Sequence, residues 1–69
     1  HYADNHLFVE LGSAFVNGAM IRILDLQGRE VLRQQASRAT VLNVQNLTAG
    51  VYHVAVTDGK RTELKCFTK

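Results

Sequence analysis

The residues most able to carry chemistry in this 69-residue chain are three histidines and one cysteine. His1, His6 and His53 lack the close spacing of a metal-binding motif, so the fold would have to bring them together with a carboxylate. We interpret His1 and His6 as terminal, solvated residues. The sequence therefore predicts neither a metal site nor another cofactor.

Cys66 is the only cysteine, so it cannot form a disulfide within the chain or complete a zinc or redox motif. The sequence predicts a buried structural thiol, with an intermolecular disulfide as the alternative that a reductant would reverse. A nucleophilic pair with His53 is disfavoured, because the hairpin register derived below puts the two side chains on opposite faces.

Catalytic signatures are missing from the sequence, which has no Gly-x-Ser-x-Gly and no glycine-rich phosphate loop. A chain this short has a thin core and little room for a supported catalytic cleft. Asn46 begins the triplet NLT, a glycosylation acceptor pattern that we assign instead to a turn, where asparagine hydrogen-bonds the backbone. We predict a module that is not an enzyme.

Charge and hydropathy narrow the range of partners. The net charge of +2 leans toward the C-terminal half, but the basic residues do not cluster with exposed aromatics, so no nucleic-acid binding is expected. No apolar run approaches the roughly 20 residues that span a bilayer, so no direct membrane insertion is expected. Because the chain starts without Met or a signal-peptide pattern, we expect it to be a piece of a longer protein.

Apolar residues alternate with period two along most of the chain, which predicts β-strands. The alternating stretches are HLFVEL, AMIRILDL, TVLNV and VYHVAV, and glycine- or asparagine-containing turn signals separate them. The stretch GREVLRQQASRA contains many helix formers but no helical apolar stripe, so we interpret it as a strand followed by a polar loop over 34–39. An all-β fold follows, a small antiparallel β-sandwich.

The first hairpin with a readable register contains IRILDLQGREVL. A three-residue loop ending at Gly28 pairs Asp25 with Arg29, an attractive surface pair. A two-residue loop would instead set Arg22 against Arg33, and like charges directly opposed destabilise a sheet. We therefore predict the three-residue loop.

The last hairpin is predicted with the three-residue loop Thr57-Asp58-Gly59, in which Gly59 is left-handed. A two-residue loop is rejected because it would place charged residues of the final strand on the apolar face of the preceding one. The predicted register pairs Tyr52 with Leu64, Val54 with Thr62 and His53 with Glu63. The face away from the core then carries His53, Glu63, Lys65, Phe67 and Lys69.

Gly50 and Tyr52 predict a corner at the start of the penultimate strand. Glycine permits a tight turn there, and a tyrosine two residues later anchors the strand on the opposite sheet while its hydroxyl holds the loop. The chain contains no proline, so its strands lack the usual edge breaker. A homodimer through edge strands, or strand addition to a partner, is therefore an open hypothesis.

Three stretches in this order resemble the C-terminal sorting domain of cargo proteins of the Bacteroidetes type IX secretion system: MIRILDLQGREVL, LNVQNLTAGVYHVAV and LKCFTK. The family tends to show I-x-D-x-x-G-R-x-V, then L-x-x-G-x-Y-x-V, then a final strand flanked by lysines. The matching positions are Ile23, Asp25, Gly28, Arg29 and Val31, then Leu47, Gly50, Tyr52 and Val54, then Lys65 to Lys69.

The resemblance implies that residues 1–69 form a single C-terminal sorting domain with an immunoglobulin-like β-sandwich of about seven strands. It implies a non-catalytic address label, recognised at an outer-membrane secretion translocon and removed by a sortase-like protease. The route would lead through the periplasm to the cell surface or the medium. The residues implied for recognition are Gly50, Tyr52, Lys65, Phe67 and Lys69, with Asp25, Gly28 and Gly59 as turn residues.

An immunoglobulin-like adhesion or carbohydrate-binding module of a surface protein is the alternative reading. Glycan platforms usually expose several aromatic side chains, and this chain has five, most of them at positions expected to face the core or lie near a terminus. Export of a reporter fusion would distinguish the sorting hypothesis from a glycan-binding one.

Overall fold

The computed structural model describes residues 2–69, which form seven strands and confirm the predicted all-β class. The interpretation of His1 as a solvated terminal residue lies outside the described residues. The strands are β1 Tyr2–Ala3, β2 His6–Glu10, β3 Ala19–Leu24, β4 Glu30–Ala36, β5 Ala39–Asn43, β6 Val51–Thr57 and β7 Thr62–Thr68.

The seven strands form two antiparallel sheets that face each other as a sandwich. One sheet has the order β1-β2-β5, and the other has the order β4-β3-β6-β7. The second sheet therefore ends in β4 on one side and β7 on the other. Within residues 2–69, no helix has the length and hydropathy needed to cross a bilayer.

The core lies between the sheets and follows the period-two pattern of the sequence. In β3, burial alternates so that Ile21 and Ile23 are inaccessible to solvent. Leu42 of β5 and Val44, directly after β5, are equally buried. Burying each such side chain contributes on the order of 1.5–3 kcal/mol. These four residues, in one cluster with Phe15 and Tyr52, hold the sheets together.

The prediction of a polar loop over 34–39 is wrong, because β4 continues to Ala36. Gln34 pairs with Ile21, and Ala36 pairs with Ala19 at the far end of β3. Full pairing of β3 satisfies backbone groups that a loop would leave exposed, and Ala36 is buried. Local composition could not reveal this, because the benefit comes from a strand about fifteen residues away.

The turn between β3 and β4 has the three-residue loop predicted for it. The backbone N–H of Asp25 donates to Arg29 O at 2.9 Å, and the Arg29 guanidinium donates to the Asp25 carboxylate at 2.7 Å. Gly28 occupies the left-handed region with φ 84°, a conformation that glycine adopts without steric cost. The turn geometry thus follows from its own residues.

Beyond this turn the predicted register is wrong. A bulge at Val31 shifts the pairing by one residue, so Ile23 lies opposite Leu32 and Arg22 lies opposite Arg33. Glu30 offsets the repulsion between the two arginines, because its carboxylate accepts a hydrogen bond from Arg22 Nε at 2.6 Å and one from Arg33 Nη2 at 3.0 Å. The two guanidinium groups also lower the pKa of Glu30.

The register of the last hairpin is also wrong. Thr57 pairs with Thr62 and Tyr52 with Phe67, so the turn is centred on Gly59 and Lys60. Gly59 does have a positive φ of 92°, but it takes the first central position of a two-residue turn. In this register Glu63 and Lys65 lie on the same face as the apolar residues of β6, which was the reason for rejecting it. The sheet tolerates this mixture because β7 lies at its edge, where both charged side chains stay exposed.

Candidate recognition edge

The residues implied for recognition lie in the β6–β7 hairpin, which Tyr52 anchors. Only 6% of Tyr52 is exposed, and its hydroxyl donates to the backbone carbonyl of Thr48 at 2.6 Å. Two residues earlier, Gly50 exchanges backbone hydrogen bonds with Lys69 at 3.1 and 2.8 Å. The tyrosine corner predicted from the sequence is therefore present, and it fixes the start of β6 to the end of β7.

Phe67 faces the interior and not the outer face predicted for it. Its ring stacks on Tyr52 with centroids 5.4 Å apart, and Tyr2 packs on its other side at 5.9 Å. Offset aromatic contacts of this kind add to the stabilisation from burial. Phe67 thus attaches the edge strand to the core, and these three aromatic rings form an internal cluster instead of an exposed platform.

Lys69 is engaged with the loop between β5 and β6. Its ammonium group donates to the carbonyls of Val44 at 2.9 Å and Gln45 at 3.0 Å, and also to that of Leu47. Three acceptors satisfy all three donors of a lysine. No sequence pattern signals this role, because the carbonyls lie 22 to 25 residues away along the chain.

Lys65 differs from Lys69 because it is exposed, and its side chain forms no hydrogen bond or ion pair with residues 2–69. It lies with Glu63 beside a cleft of about 110 Å³ between the open edges of the two sheets. The apolar residues lining the cleft are Leu7, Phe8, Val9, Leu11, Val54, Val56 and Phe67. Of the two lysines that flank Phe67, only Lys65 has a free charge.

Within residues 2–69, no strand pairs with the outward side of β7. Antiparallel strands alternate between hydrogen-bonded and non-hydrogen-bonded pairs, and the Gly50–Lys69 pair is hydrogen-bonded. Odd-numbered residues of β7 therefore bond to β6, while even-numbered residues direct their N–H and C=O groups away from the sheet. These outward residues are Thr62, Leu64, Cys66 and Thr68.

Cys66 and His53 correct three predictions. They lie directly opposite each other in the β6–β7 ladder, with Cys66 Sγ 3.4 Å from His53 Nδ1, so they share a face. Cys66 is exposed and not buried. His53 accordingly does not face Glu63, which pairs with Val56.

The tip of the hairpin carries the remaining free positive charge of this region. Asp58 accepts backbone hydrogen bonds from Arg61 and Lys60, both at 2.9 Å. These bonds lower the pKa of Asp58, the one from Arg61 most strongly. The side chains of Lys60 and Arg61 form no ion pair with the described residues.

The geometry supports binding more directly than chemistry. No group of three or more potential metal ligands occurs within residues 2–69. The fold and the exposed hairpin define a small β-sandwich module with a free edge strand at its C-terminal end.

Comparison with known proteins identifies the family. The family model described as a secretion system C-terminal sorting domain matches residues 3–68, and this chain belongs to that family. No curated protein gives a significant match, and no solved structure does. The chain is thus a C-terminal sorting signal of type IX secretion, which implies export to the cell surface or secretion. The family is not known as catalytic.

Proposed function

We propose that the chain is the C-terminal domain of a larger secreted precursor and is recognised at the outer-membrane translocon through the free edge of β7. The observation that carries this proposal is the row of unpaired backbone groups from Thr62 to Thr68. A receptor strand that pairs with such an edge gains main-chain hydrogen bonds. In this proposal the cargo first crosses the periplasm. Recognition at the translocon follows, and a sortase-like protease then removes the domain.

In this proposal, the residues of the sorting motif have two different roles. Gly50, Tyr52, Phe67 and Lys69 position the edge, because each is tied to another part of the chain. Lys65 contacts the receptor, because its charge is free and lies on the edge strand. Charges at the rim of an interface mainly accelerate and orient association, so Lys65 steers the edge toward an acidic surface.

The experiment is a reporter fused upstream of residues 1–69 in a strain with type IX secretion. We expect the reporter at the cell surface or in the medium, and retention in the periplasm when residues 65–69 are deleted. Because this deletion also removes Phe67 and Lys69, a second variant, Lys65→Glu, tests recognition in a folded domain. We expect its export to fall several-fold, since the steering charge is reversed.

Lys60→Glu is the matched control, because it reverses a charge of the same hairpin away from β7. Both variants are compared with the parent by thermal unfolding, so a folding defect is detected separately. Retention of the unmodified fusion would overturn the sorting role. Equal export of the Lys65→Glu and Lys60→Glu fusions would overturn recognition through Lys65.

A further inference from the structure

We propose that the chain forms a two-fold symmetric homodimer in which β7 of one copy pairs antiparallel with β7 of a second copy. Leu64 lies opposite Leu64 on the symmetry axis, and Glu63 of each copy lies opposite Lys65 of the other. The two four-stranded sheets then join into one continuous antiparallel sheet. This inference does not depend on the sorting role, because it concerns the chain alone.

The two edges of the four-stranded sheet differ in how well they are protected. β4 is interrupted by the bulge at Val31, and its Gln34 side chain donates to Thr40 Oγ1 of the other sheet at 2.7 Å. Bulges and covering contacts are common ways of blocking an edge. β7 has seven residues, no proline and regular pairing with β6 throughout. β7 is therefore the edge that is open to a second copy.

Hydrogen-bond parity limits the register of such a pair. The groups that point outward from β7 belong to the even-numbered residues, as the hydrogen-bonded Gly50–Lys69 pair establishes. Two copies of β7 can exchange hydrogen bonds only if even-numbered residues lie opposite even-numbered residues. The two-fold axis must then pass through a residue and not between two residues.

Among the registers whose two-fold axis passes through a residue of β7, the charges of the facing side chains favour the one centred on Leu64. A two-fold axis at Lys65 sets two lysines opposite each other, and an axis at Glu63 sets two glutamates opposite each other. Like charges directly opposed destabilise both registers. An axis at Cys66 places Lys65 against Phe67. With the axis at Leu64, both charged pairs are opposite in sign, and they occupy non-hydrogen-bonded positions, where Cα atoms lie only about 4.5 Å apart.

The same side chains explain why the edge also accepts a second copy. Glu63 and Lys65 are exposed and have no polar partner within residues 2–69. Inward-pointing charges normally discourage edge pairing, but two opposite charges two residues apart complement themselves in an antiparallel copy. Leu64, which is 68% exposed, is covered by its symmetry mate. Cys66 faces Thr62 in this register, so no disulfide is required.

Sedimentation equilibrium of the 69-residue chain tests this proposal. We expect a reversible monomer–dimer equilibrium in the parent. Lys65→Glu and Glu63→Lys each place two like-charged pairs across the axis, so each should weaken the dimer at least about tenfold. An equimolar mixture of these two variants should form a heterodimer, because every cross pair is again opposite in sign. The double swap Glu63→Lys/Lys65→Glu should dimerise like the parent.

Leu64→Pro gives a test that does not depend on charge. The N–H of Leu64 points away from β6, so proline there removes an outward donor without removing a ladder hydrogen bond. We expect a folded monomer, with folding checked by circular dichroism. The proposal is overturned if the parent stays monomeric up to about 1 mM, or if the two single charge variants dimerise as tightly as the parent.

Disulfide trapping tests the register. In a Cys66→Ser background, Leu64→Cys places two thiols opposite each other at a Cα separation of about 5.5 Å, which a disulfide can bridge. We expect oxidation to cross-link this variant into a dimer, and not to cross-link the Thr68→Cys control, whose thiols lie far apart. Equal cross-linking of both variants would show that the register is wrong.

Discussion

At the scale of single residues, Tyr52 and Lys69 show how side chains determine the position of the proposed recognition edge. Tyr52 combines a stacked ring with a hydroxyl that closes the loop before β6. Lys69 ties the end of β7 to the carbonyls of the preceding loop. Both residues belong to the proposed sorting motif, and both contact other parts of the domain instead of pointing toward solvent.

Tyr52→Phe should destabilise the domain by about 1–2 kcal/mol, because the Thr48 carbonyl loses its donor while the ring stacking is kept. Urea unfolding followed by circular dichroism measures this change. The control is Tyr2→Phe, which removes an exposed 3.3 Å hydrogen bond to Asn5 and should cost much less. Similar losses in the two variants would contradict the role given to the corner hydroxyl.

At the scale of elements, the β3–β4 hairpin shows which part of a register is local. The backbone N–H of Arg29 contributes most to the lowered pKa of Asp25, and the Arg29 side chain and the N–H of Gln27 lower it further. The turn is therefore closed by its own residues. The bulge that follows sets Arg22 against Arg33, and Glu30 relieves that contact.

The lowered pKa values of Asp25 and Asp58 predict acid sensitivity. A carboxylate whose pKa is lower in the folded than in the unfolded state stabilises the fold above its ordinary pKa of about 4, and this contribution is lost as the pH falls further. We expect the unfolding temperature to hold between about pH 7 and 5 and to fall below about pH 4.

The variant Asp25→Asn should lower the unfolding temperature at neutral pH and reduce its difference between neutral and acidic pH. Calorimetry at the two pH values checks this. Glu10→Gln is the control, because the Glu10 carboxylate forms no hydrogen bond or ion pair with the described residues. An acid response in Asp25→Asn as large as that of the parent would argue against the turn as its source.

At the scale of the whole molecule, the two proposals use the same free edge. A backbone edge can pair with only one strand, so β7 of a dimer is unavailable to a receptor. Dissociation of the dimer would then precede recognition. Self-pairing would also protect an exposed strand from less specific edge-to-edge association.

A fusion carrying Leu64→Cys/Cys66→Ser, locked as a disulfide dimer, should therefore be retained in the periplasm. The Cys66→Ser fusion is the control and should reach the surface. Glu63→Lys, which weakens the dimer but keeps the positive charge of Lys65, should also be exported. The measurement is the surface fraction of the reporter. Normal export of the locked dimer would show that the receptor does not bind the β7 edge.

The sequence alone determined the all-β class, the three-residue turn at Gly28 and the tyrosine corner, because each depends on residues close together in the chain. The alternation of VYHVAV was sufficient to assign Tyr52, Val54 and Val56 to the core face, and all three are buried. The family was also readable, because its motifs are short and ordered.

Only the tertiary structure decided the registers beyond the turns and the roles of the final residues. The predicted register kept charged side chains off the core face of β7. An edge strand next to an open cleft can, however, leave Glu63 and Lys65 in solvent on that face. Lys69 finds its acceptors across the sandwich, and Cys66 meets His53 only through the actual pairing. Distant contacts decide these features, because a register shift of an odd number of residues exchanges the two faces of a strand.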